Sequence, residues 1–429
     1  MSTVSVSKEK KQAGMYKWIV WGLLVLSYAI NYFHAFSMGI VKNTLVAEFA
    51  LSESMFASIA STYAMLYLIM QIPTGILADT LGARITSAAG TFIAAAGITL
   101  FSMAQNASML FIGRSLVGLG TSVIFVCVLK LQSNWFEQKK LGTMTGLTCF
   151  IGTLGGAVAQ TPLAFLVESF GWRASLMGIG ALGFIVSAAI FFMVRNTPEE
   201  LGYEAVNPVE GDSEKTSFKE VMVGVFDVFK NPKTWPPLVA YAGFYGTSVL
   251  LMGLFGAPFL SKVYSISTVQ AANFTTVAIV GSAIGAIVLG NLSDKLVSRK
   301  KPLIFAGIIY ALTWGVLILT IGNLSQPLMM VLMFLNGFMS YGYVVCWSAV
   351  GEVNHPKYVG VSSSVANIGG FAGSSFLPLI VGGAFDKMAG ADFLSMYKVG
   401  FGIALGAVVI STLAGFVMTE TSNQNTYNV

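Results

Sequence analysis

A row of polar side chains lies inside a long apolar stretch near the start of the chain. Its members are Ser27, Asn31, His34 and Ser37. Their spacing of three to four residues places them on one face of a helix, and such a face borders either a water-filled cavity or a seam of hydrogen bonds between helices. We favour the cavity. His34 is the one group in these stretches that titrates near neutral pH, so it is the candidate proton carrier and, with Asn31, a candidate substrate ligand.

A second candidate is Arg114, about six residues inside another apolar stretch, which is roughly 9 Å along a helix. Its charge cannot be lost, so it needs an anionic partner. No Asp or Glu lies near the centre of an apolar stretch; the partner is therefore either an array of backbone carbonyls or a bound anion, and we favour the anion. Gln132 shares its helix face. Lys130 lies about 160° round the helix; we interpret it chiefly as structural and retain the alternative of a second cation for the substrate.

Neutral polar and aromatic side chains recur at helical spacing in the second half of the chain. The candidate substrate ligands among them are Tyr241, Tyr245, Asn336, Trp347 and Asn367. Hydroxyls, amides and aromatic edges suit a small, oxygen-rich solute, although each residue alone is more readily explained by packing. A comparable row in the first half consists of Tyr63, Tyr67 and Gln71.

The sequence lacks the motifs of other membrane activities. There is no Walker loop for ATP hydrolysis, no HExxH motif and no Cys/His cluster for a metal. The chain has only two histidines and no acidic residue near the centre of an apolar stretch. It therefore offers few catalytic groups for a membrane hydrolase. We therefore expect no enzyme activity, no cofactor and no metal. Cys127, Cys149 and Cys346 all lie in apolar stretches and do not indicate a disulfide framework.

Composition identifies the elements that must position these residues. Of 429 residues, 55% are hydrophobic and only 10% are charged, against roughly a quarter charged in soluble domains. This predicts an all-α membrane protein, and the net charge of +5 is too weak to indicate nucleic-acid binding. About twelve apolar stretches have the roughly 18–25 residues needed to cross a bilayer. They are Trp18–Val41, Met55–Ala78, Ile85–Met103, Met109–Leu131, Met144–Val167, Ala174–Val194, Pro236–Leu260, Ala271–Leu292, Pro302–Ile321, Pro327–Val350, Val361–Phe385 and Tyr397–Met418.

The twelve predicted spans form two sets of six. We expect a polar N-terminal tail at 1–17, a first bundle at 18–194, a linker at 195–234, a second bundle at 235–418 and a C-terminal tail at 419–429. With both tails inside, 17 of the lysines and arginines lie inside and 5 outside. The positive-inside rule therefore predicts a protein of the cell (inner) membrane with both termini in the cytoplasm.

The linker starts with an acidic segment containing proline and glycine, which predicts a flexible connection. It continues with Ser217-x-x-Glu220, a capping box. The apolar residues that follow at helical spacing are Phe218, Val221, Met222, Val225 and Phe229. We expect a short amphipathic helix that lies either on the inner membrane surface or against cytoplasmic loops.

A glycine-containing charged turn occurs twice. The first copy contains Gly75, Asp79, Gly82 and Arg84, and the second contains Asp294. The two aspartates are 215 positions apart, about half the chain, which indicates one membrane unit used twice. The glycines allow helix ends to approach closely, and Asp79 is placed to sit at a helix N-terminus or to pair with Arg84. Because such a contact forms in one conformation and breaks in another, these five residues are candidates for conformational gating.

Both copies resemble the loop signature G-x-L-x-D-x-x-G-x-R of the major facilitator superfamily of transporters, the first nearly throughout and the second without the later glycine. The run Arg114-x-x-x-Gly118-x-Gly120 partly resembles the second signature of that superfamily. The resemblance covers the whole chain. It implies two pseudo-symmetric six-helix bundles around a central cavity bordered by spans 1, 4, 7 and 10, alternating access to that cavity, and a monomer.

On this basis we expect a secondary active transporter for a small organic anion, such as a carboxylate or sugar acid, driven by protons. Arg114 would hold the anion, and His34 would bind the proton or the solute. The alternatives are a small-peptide carrier, a uniporter, an exporter of amphipathic compounds, and a transport-inactive sensor that signals through the linker. The expected partners are the substrate, the proton and the lipid bilayer.

Overall fold

The computed structural model describes residues 14–207, 218–422 and 424–427, and the regular elements within these ranges are all helical. The first half of the chain contains α1 (Tyr16–Phe36), α2 (Met38–Phe49), α3 (Glu53–Ile69), α4 (Gln71–Thr80), α5 (Ala83–Ser102), α6 (Ala107–Ser122), α7 (Ile124–Trp135), α8 (Leu141–Val158) and α9 (Thr161–Met193). The linker helix is α10 (Phe218–Lys230). The second half contains α11 (Trp235–Ser248), α12 (Gly256–Val263), α13 (Thr268–Lys295), α14 (Lys300–Leu319), α15 (Gln326–Ser340), α16 (Val344–Glu352), α17 (Val359–Lys387) and α18 (Phe393–Val417).

Within the described ranges, ten helical segments are long and apolar enough to cross a membrane. Helices α3 and α4 together provide one more, bent by 55°. The segment Gln138–Met193 counts once among the ten, but the backbone leaves helical geometry at Gln160 and again at Gly171. Gly171 lies between the predicted spans Met144–Val167 and Ala174–Val194, so the described helices are compatible with twelve spans, and the count of twelve stays a prediction.

Several predicted spans are broken rather than straight. The span predicted at Met55–Ala78 bends between α3 and α4. Pro73 lacks the N–H that would bond to the carbonyl of Ile69, and the Thr74 hydroxyl donates a 2.6 Å hydrogen bond to the carbonyl of Met70, a contact that favours bending. A π-helical segment, Val249–Phe255, likewise separates α11 from α12.

Close helix contacts repeat between the two halves. A Cβ at Gly155 of α8 would lie 2.1 Å from the carbonyl oxygen of Ala29 in α1, and one at Gly373 of α17 would lie 1.9 Å from that of Ala242 in α11. These two pairs occupy equivalent positions, since each partner in the second half lies about half a chain length after its counterpart. The contacts support the repeat inferred from the two aspartates, because glycine is the residue that lets such backbones touch.

We call the side of the bundle that carries α10 and the start of α1 the linker face, and the other side the opposite face. The halves meet through α3 against α17 and through α9 against α13. Hydrogen bonds join them at the opposite face, among them Asn43 to Ser261 at 3.3 Å and the hydroxyl of Thr275 to the side-chain oxygen of Gln160 at 2.6 Å. The halves are therefore held together at that face.

The linker helix α10 packs on the second half. Val228 is buried in a cluster with Leu238, Val350 and Val365, and Val225 is also buried. The helix thus packs on α11, α16 and α17, while Phe226 on its other side is 59% exposed, and its placement on the membrane surface or against cytoplasmic loops stays a prediction. The predicted capping box begins at Ser217, which lies outside the described residues.

Candidate functional site

A cavity of about 280 Å³ lies between the two halves. The first half contributes Tyr28, Asn31, Tyr32, Ala35, Tyr63, Tyr67, Phe125, Leu129, Thr145 and Cys149. The second half contributes Tyr241, Tyr245, Tyr341, Tyr343, Trp347, Ser363, Asn367 and Phe371. The cavity thus occupies the position expected of a transport site between two bundles.

The lining of this central cavity is strongly aromatic. Eleven of its 18 residues are Tyr, Phe or Trp, and none of the 18 is charged. The rings form stacked pairs within each half, such as Tyr28 on Phe125 at 5.0 Å between centroids and Tyr241 on Tyr343 at 4.5 Å. Aromatic walls of this kind offer flat apolar surface together with hydroxyl groups.

The central cavity opens toward the linker face. Asn31 and Tyr241 are buried at its inner end, whereas Ser363, near the linker-face end of α17, is exposed. Where α3 packs on α17, Tyr67 of the first half stacks on Phe371 of the second at 4.0 Å between centroids and 15° between planes. This pair lines the cavity across the boundary between the halves.

Five of the predicted substrate ligands line the central cavity, namely Asn31, Tyr241, Tyr245, Trp347 and Asn367. The Trp347 indole N–H donates to the side-chain oxygen of Asn367 at 2.9 Å. The side-chain oxygen of Asn31 accepts from the Tyr63 hydroxyl at 2.5 Å, and its amide donates to the Thr121 carbonyl at 3.3 Å. The Asn31 amide is therefore engaged at both its oxygen and its nitrogen, and the Asn367 amide at its oxygen.

Arg114 lies behind the aromatic lining rather than in it. The residue is 1% exposed, and its Nη1 donates a 2.9 Å hydrogen bond to the main-chain carbonyl of His34. Its guanidinium lies 4.6 Å from the centroid of the Tyr63 ring, while its Nε has no hydrogen-bond partner among the described residues. Arg114 borders a void of about 10 Å³ that shares Tyr63, Tyr245 and Phe371 with the central cavity.

His34 points into the first half of the protein. It is 1% exposed and lines a separate void of about 10 Å³ together with Ser27 and Thr91. The Ser27 and Thr91 hydroxyls are 2.7 Å apart, so this part of the polar row forms the hydrogen-bond seam that was the alternative to a cavity. The Nδ1 of His34 has no partner in the described part of the chain. Among the residues that the structure describes, Asn31 alone borders both spaces.

The other three predicted ligands lie away from the central cavity. Lys130 Nζ is 2.6 Å from a carboxylate oxygen of Asp79. The side-chain amide of Gln132 donates to the Thr148 hydroxyl at 2.6 Å. The side-chain amide of Asn336 donates to the Thr313 hydroxyl at 3.0 Å.

The charged turns have partners within their own halves. Asp79 pairs with Lys130, and Arg84, which was expected as an alternative partner of Asp79, instead donates from Nη2 and Nε to the Phe191 carbonyl at 2.7 and 2.9 Å. No described residue outside its own helix turn lies within 4 Å of a Cβ built at Gly75, so the close approach expected there is absent from the described part of the chain. Gly82, in contrast, has a φ of +82° and requires glycine.

The second turn is tied to its own half by a larger ionic cluster. Arg299 Nη1 is 2.9 Å from a carboxylate oxygen of Asp294, and its Nη2 is 2.8 Å from one of Glu352. Glu420 accepts the backbone N–H of Arg299 at 2.9 Å. The C-terminal segment is thereby hydrogen-bonded to this turn.

The contacts that hold the two halves together at the opposite face were not predicted from the sequence. Lys42 is completely buried, with its Nζ 2.6 Å from Glu53 and 4.4 Å from the centroid of the Phe255 ring of the other half. The Asp386 carboxylate accepts the backbone N–H groups of Glu53 and Ser54 at 2.9 and 3.2 Å. A carboxylate of the second half therefore caps the N-terminus of α3 in the first.

Comparison with known proteins places this geometry in context. Residues 24–378 match the model of the Major Facilitator Superfamily. The "Probable L-galactonate transporter" of Escherichia coli (strain K12) is 24% identical over 85% of this chain and 82% of its own length. The "D-galactonate transporter" of E. coli O6:H1 is 24% identical over 94% of each chain.

A solved structure supports the same fold. The crystal structure of a bacterial homologue of the human lysosomal transporter Spinster, in an inward-facing and unoccupied conformation, superposes with a TM-score of 0.75 at 18% identity, over 94% of this chain and 96% of that one. Since the family model also covers most of the sequence, the chain belongs to the Major Facilitator Superfamily of membrane transporters.

Proposed function

We propose that the protein is a secondary active transporter that carries a small organic anion, a carboxylate or sugar acid, by alternating access. The cargo binds in the central cavity, which opens to the linker face and in which Tyr67 and Phe371 stack across the boundary between the halves. The names of the galactonate transporters among its relatives support this substrate class. Opening the opposite face would require breaking the contacts of Lys42 and Asp386.

The observation that carries the proposal is the unbalanced charge of Arg114. The guanidinium is buried beside the central cavity and has no ion pair among the described residues, its one hydrogen bond on Nη1 going to a backbone carbonyl. A buried cation without a carboxylate is costly. An anionic substrate near Tyr63 supplies the missing negative charge in the loaded state.

Proton coupling is assigned to His34 in this proposal. Its support is the unpartnered Nδ1, which faces a polar void bordered by Asn31, the residue that also lines the central cavity. Asp79 and Asp294 are proposed as gating residues, since each belongs to a turn at the linker face that moves with its own half. The linker face is cytoplasmic by the distribution of lysine and arginine, and the protein acts as a monomer in the inner membrane.

Uptake into liposomes tests this function. Purified protein is reconstituted, and entry of radiolabelled D-galactonate, D-glucuronate, succinate and benzoate is measured against neutral D-galactose and a neutral dipeptide. We expect uptake of at least one acid above that of protein-free liposomes, and a lower rate when an inward pH gradient is collapsed. D-galactose is the matched control, because it shares the carbon chain of galactonate without the carboxylate. Transport of the dipeptide or the neutral sugar alone would contradict the proposal, and no flux of any solute would favour the sensor.

A further inference from the structure

Among the described residues, the central cavity is lined by many aromatic rings and by no charged side chain, which is an unusual lining for an acid with hydroxyl groups along its length. We propose that the preferred cargo is an aromatic monocarboxylate. This inference rests on the proposed transport of organic anions. Its ring lies between the aromatic walls of the two halves, and its carboxylate points toward Arg114.

The aromatic wall of each half contains a stacked pair of rings that offers a flat surface to a planar cargo. In the first half Tyr28 and Phe125 stack with their planes 25° apart, and in the second half Tyr241 and Tyr343 stack at the same angle. Both pairs line the same cavity. Ring centroids 4.5–7 Å apart attract one another in offset or edge-to-face geometry, so a planar aromatic cargo contacts both walls at once.

A polyhydroxy acid finds fewer partners there. Each hydroxyl that leaves water needs a new hydrogen bond, and an unmade one weakens binding. The two amides of the cavity are partly used, because Asn31 bonds to Tyr63 and to the Thr121 carbonyl, and the Asn367 oxygen accepts from Trp347. Binding therefore favours a cargo whose polar atoms are gathered at one end.

The charge of the cavity surroundings is also concentrated at one end. Arg114 lies 4.6 Å from the Tyr63 ring, and Tyr63, Tyr245 and Phe371 separate its small void from the central cavity. A carboxylate at this boundary approaches the guanidinium once the rings shift. A second carboxylate at the other end of the cargo, near Trp347 and Ser363, would find no cation in the lining, so the cavity surroundings supply a charge partner for one carboxylate only.

The volume sets the size of the cargo. At about 280 Å³, the cavity lies just below the range of roughly 300–1,000 Å³ found for drug-sized ligands. This space suits one aromatic ring with a short substituent.

Binding to the purified full-length protein tests the inference. Benzoate, cyclohexanecarboxylate and D-galactonate are titrated while tryptophan fluorescence and the melting temperature are recorded. Cyclohexanecarboxylate is the matched ligand, since it has the same charge and carbon skeleton without the flat ring. We expect benzoate to bind at least tenfold more tightly than either of the others.

Two variants locate the ring. Phe125→Leu removes one wall ring and should weaken benzoate binding by about 3- to 10-fold while changing cyclohexanecarboxylate binding little. Phe305→Leu is the control, because Phe305 is 50% exposed on the outer surface of the bundle, and it should bind benzoate like the parent. Equal effects of Phe125→Leu on both ligands would overturn the stacking.

The outcomes separate this inference from the proposed function. Tighter binding of D-galactonate than of benzoate would overturn the aromatic cargo and leave anion transport standing. If the protein bound neither benzoate nor D-galactonate and liposomes took up no organic anion, both the aromatic cargo and the proposed anion transport would be wrong.

Discussion

The guanidinium of Arg114 donates a 2.9 Å hydrogen bond to the main-chain carbonyl of His34. The buried arginine of α6 and the histidine of α1 are thereby joined across the first half, although their side chains border different voids. A shift of α1 on substrate binding would change the surroundings of both groups together. In the proposed mechanism, this contact would link an anion near Arg114 to His34.

His34 should be needed for proton-driven transport. Replacing it by alanine removes the one imidazole of the spans, so we expect His34→Ala to abolish uptake driven by a pH gradient while exchange of substrate across the membrane continues. The measurement is uptake into liposomes with and without the gradient. His355→Ala is the control, because His355 lies in an exposed loop. An unchanged pH dependence of His34→Ala would remove this residue from the coupling mechanism.

Asp386 should hold the opposite face shut. Its carboxylate accepts two backbone N–H groups at the start of α3, and Asp386→Asn weakens this charged cap. In a background without the three native cysteines, a reporter at Ser261→Cys should react several-fold faster with a maleimide when Asp386→Asn is present. Asp392→Asn is the matched control, because Asp392 caps α18 within one half, through the N–H of Ser395 at 2.9 Å. Equal labelling in both variants would argue against a latch at Asp386.

Gly155 should tolerate no side chain. A Cβ there would lie 2.1 Å from the Ala29 carbonyl oxygen, so Gly155→Ala must push α1 and α8 apart, at a cost of about 1–3 kcal/mol in the free energy of unfolding. The melting temperature of the purified protein reports this loss. Gly146→Ala, also on α8, has nothing within 4 Å of its Cβ and should melt like the parent or higher. A parental melting temperature for Gly155→Ala would mean that the two helices are not in contact.

Val297 occupies the position of the glycine missing from the second turn. It lies 215 residues after Gly82 and has a φ of +48°, against +82° at Gly82. A β-branched residue is strained there, so Val297→Gly should raise the free energy of unfolding by about 1 kcal/mol after the entropy of glycine is counted. Leu296→Gly, at a φ of −79°, should lower it. A lower melting temperature for Val297→Gly would show that the turn needs the valine.

The large features of the fold follow from sequence alone. The spacing of Asp79 and Asp294 predicts the two halves, and the polar and aromatic rows place Asn31, Tyr241 and Asn367 at the cavity that the structure shows. These inferences succeed because hydrophobic length and helical period are local properties of a chain.

Orientation at the level of single residues was less predictable. Helical period alone put His34 in the cavity row, but the row that lines the cavity is Tyr28, Tyr32 and Ala35, about 100° round α1 from Ser27 and His34. Periodicity cannot tell two polar sides of one helix apart. The abundance of tyrosine was a signal that could have identified the correct side.

Contacts between residues that are distant along the chain could not be predicted from the sequence either. The pairing of Lys130 with Asp79 and the capping of α3 by Asp386 join residues that are distant along the chain. Such contacts depend on the packing of whole helices and on the bend at Pro73, whose angle no local pattern supplies.

The central claim is that an organic anion binds between the halves with Arg114 compensating its charge. Calorimetric titration of benzoate and D-galactonate into the parent, Arg114→Gln and Arg195→Gln tests it most directly. Arg195 lies at the linker face and donates to nearby carbonyls, so its replacement removes the same charge away from the cavity. We predict at least tenfold weaker binding by Arg114→Gln, since a charged hydrogen bond contributes about 1.5–3 kcal/mol, and parental binding by Arg195→Gln. Parental affinity in a folded Arg114→Gln protein would contradict the claim.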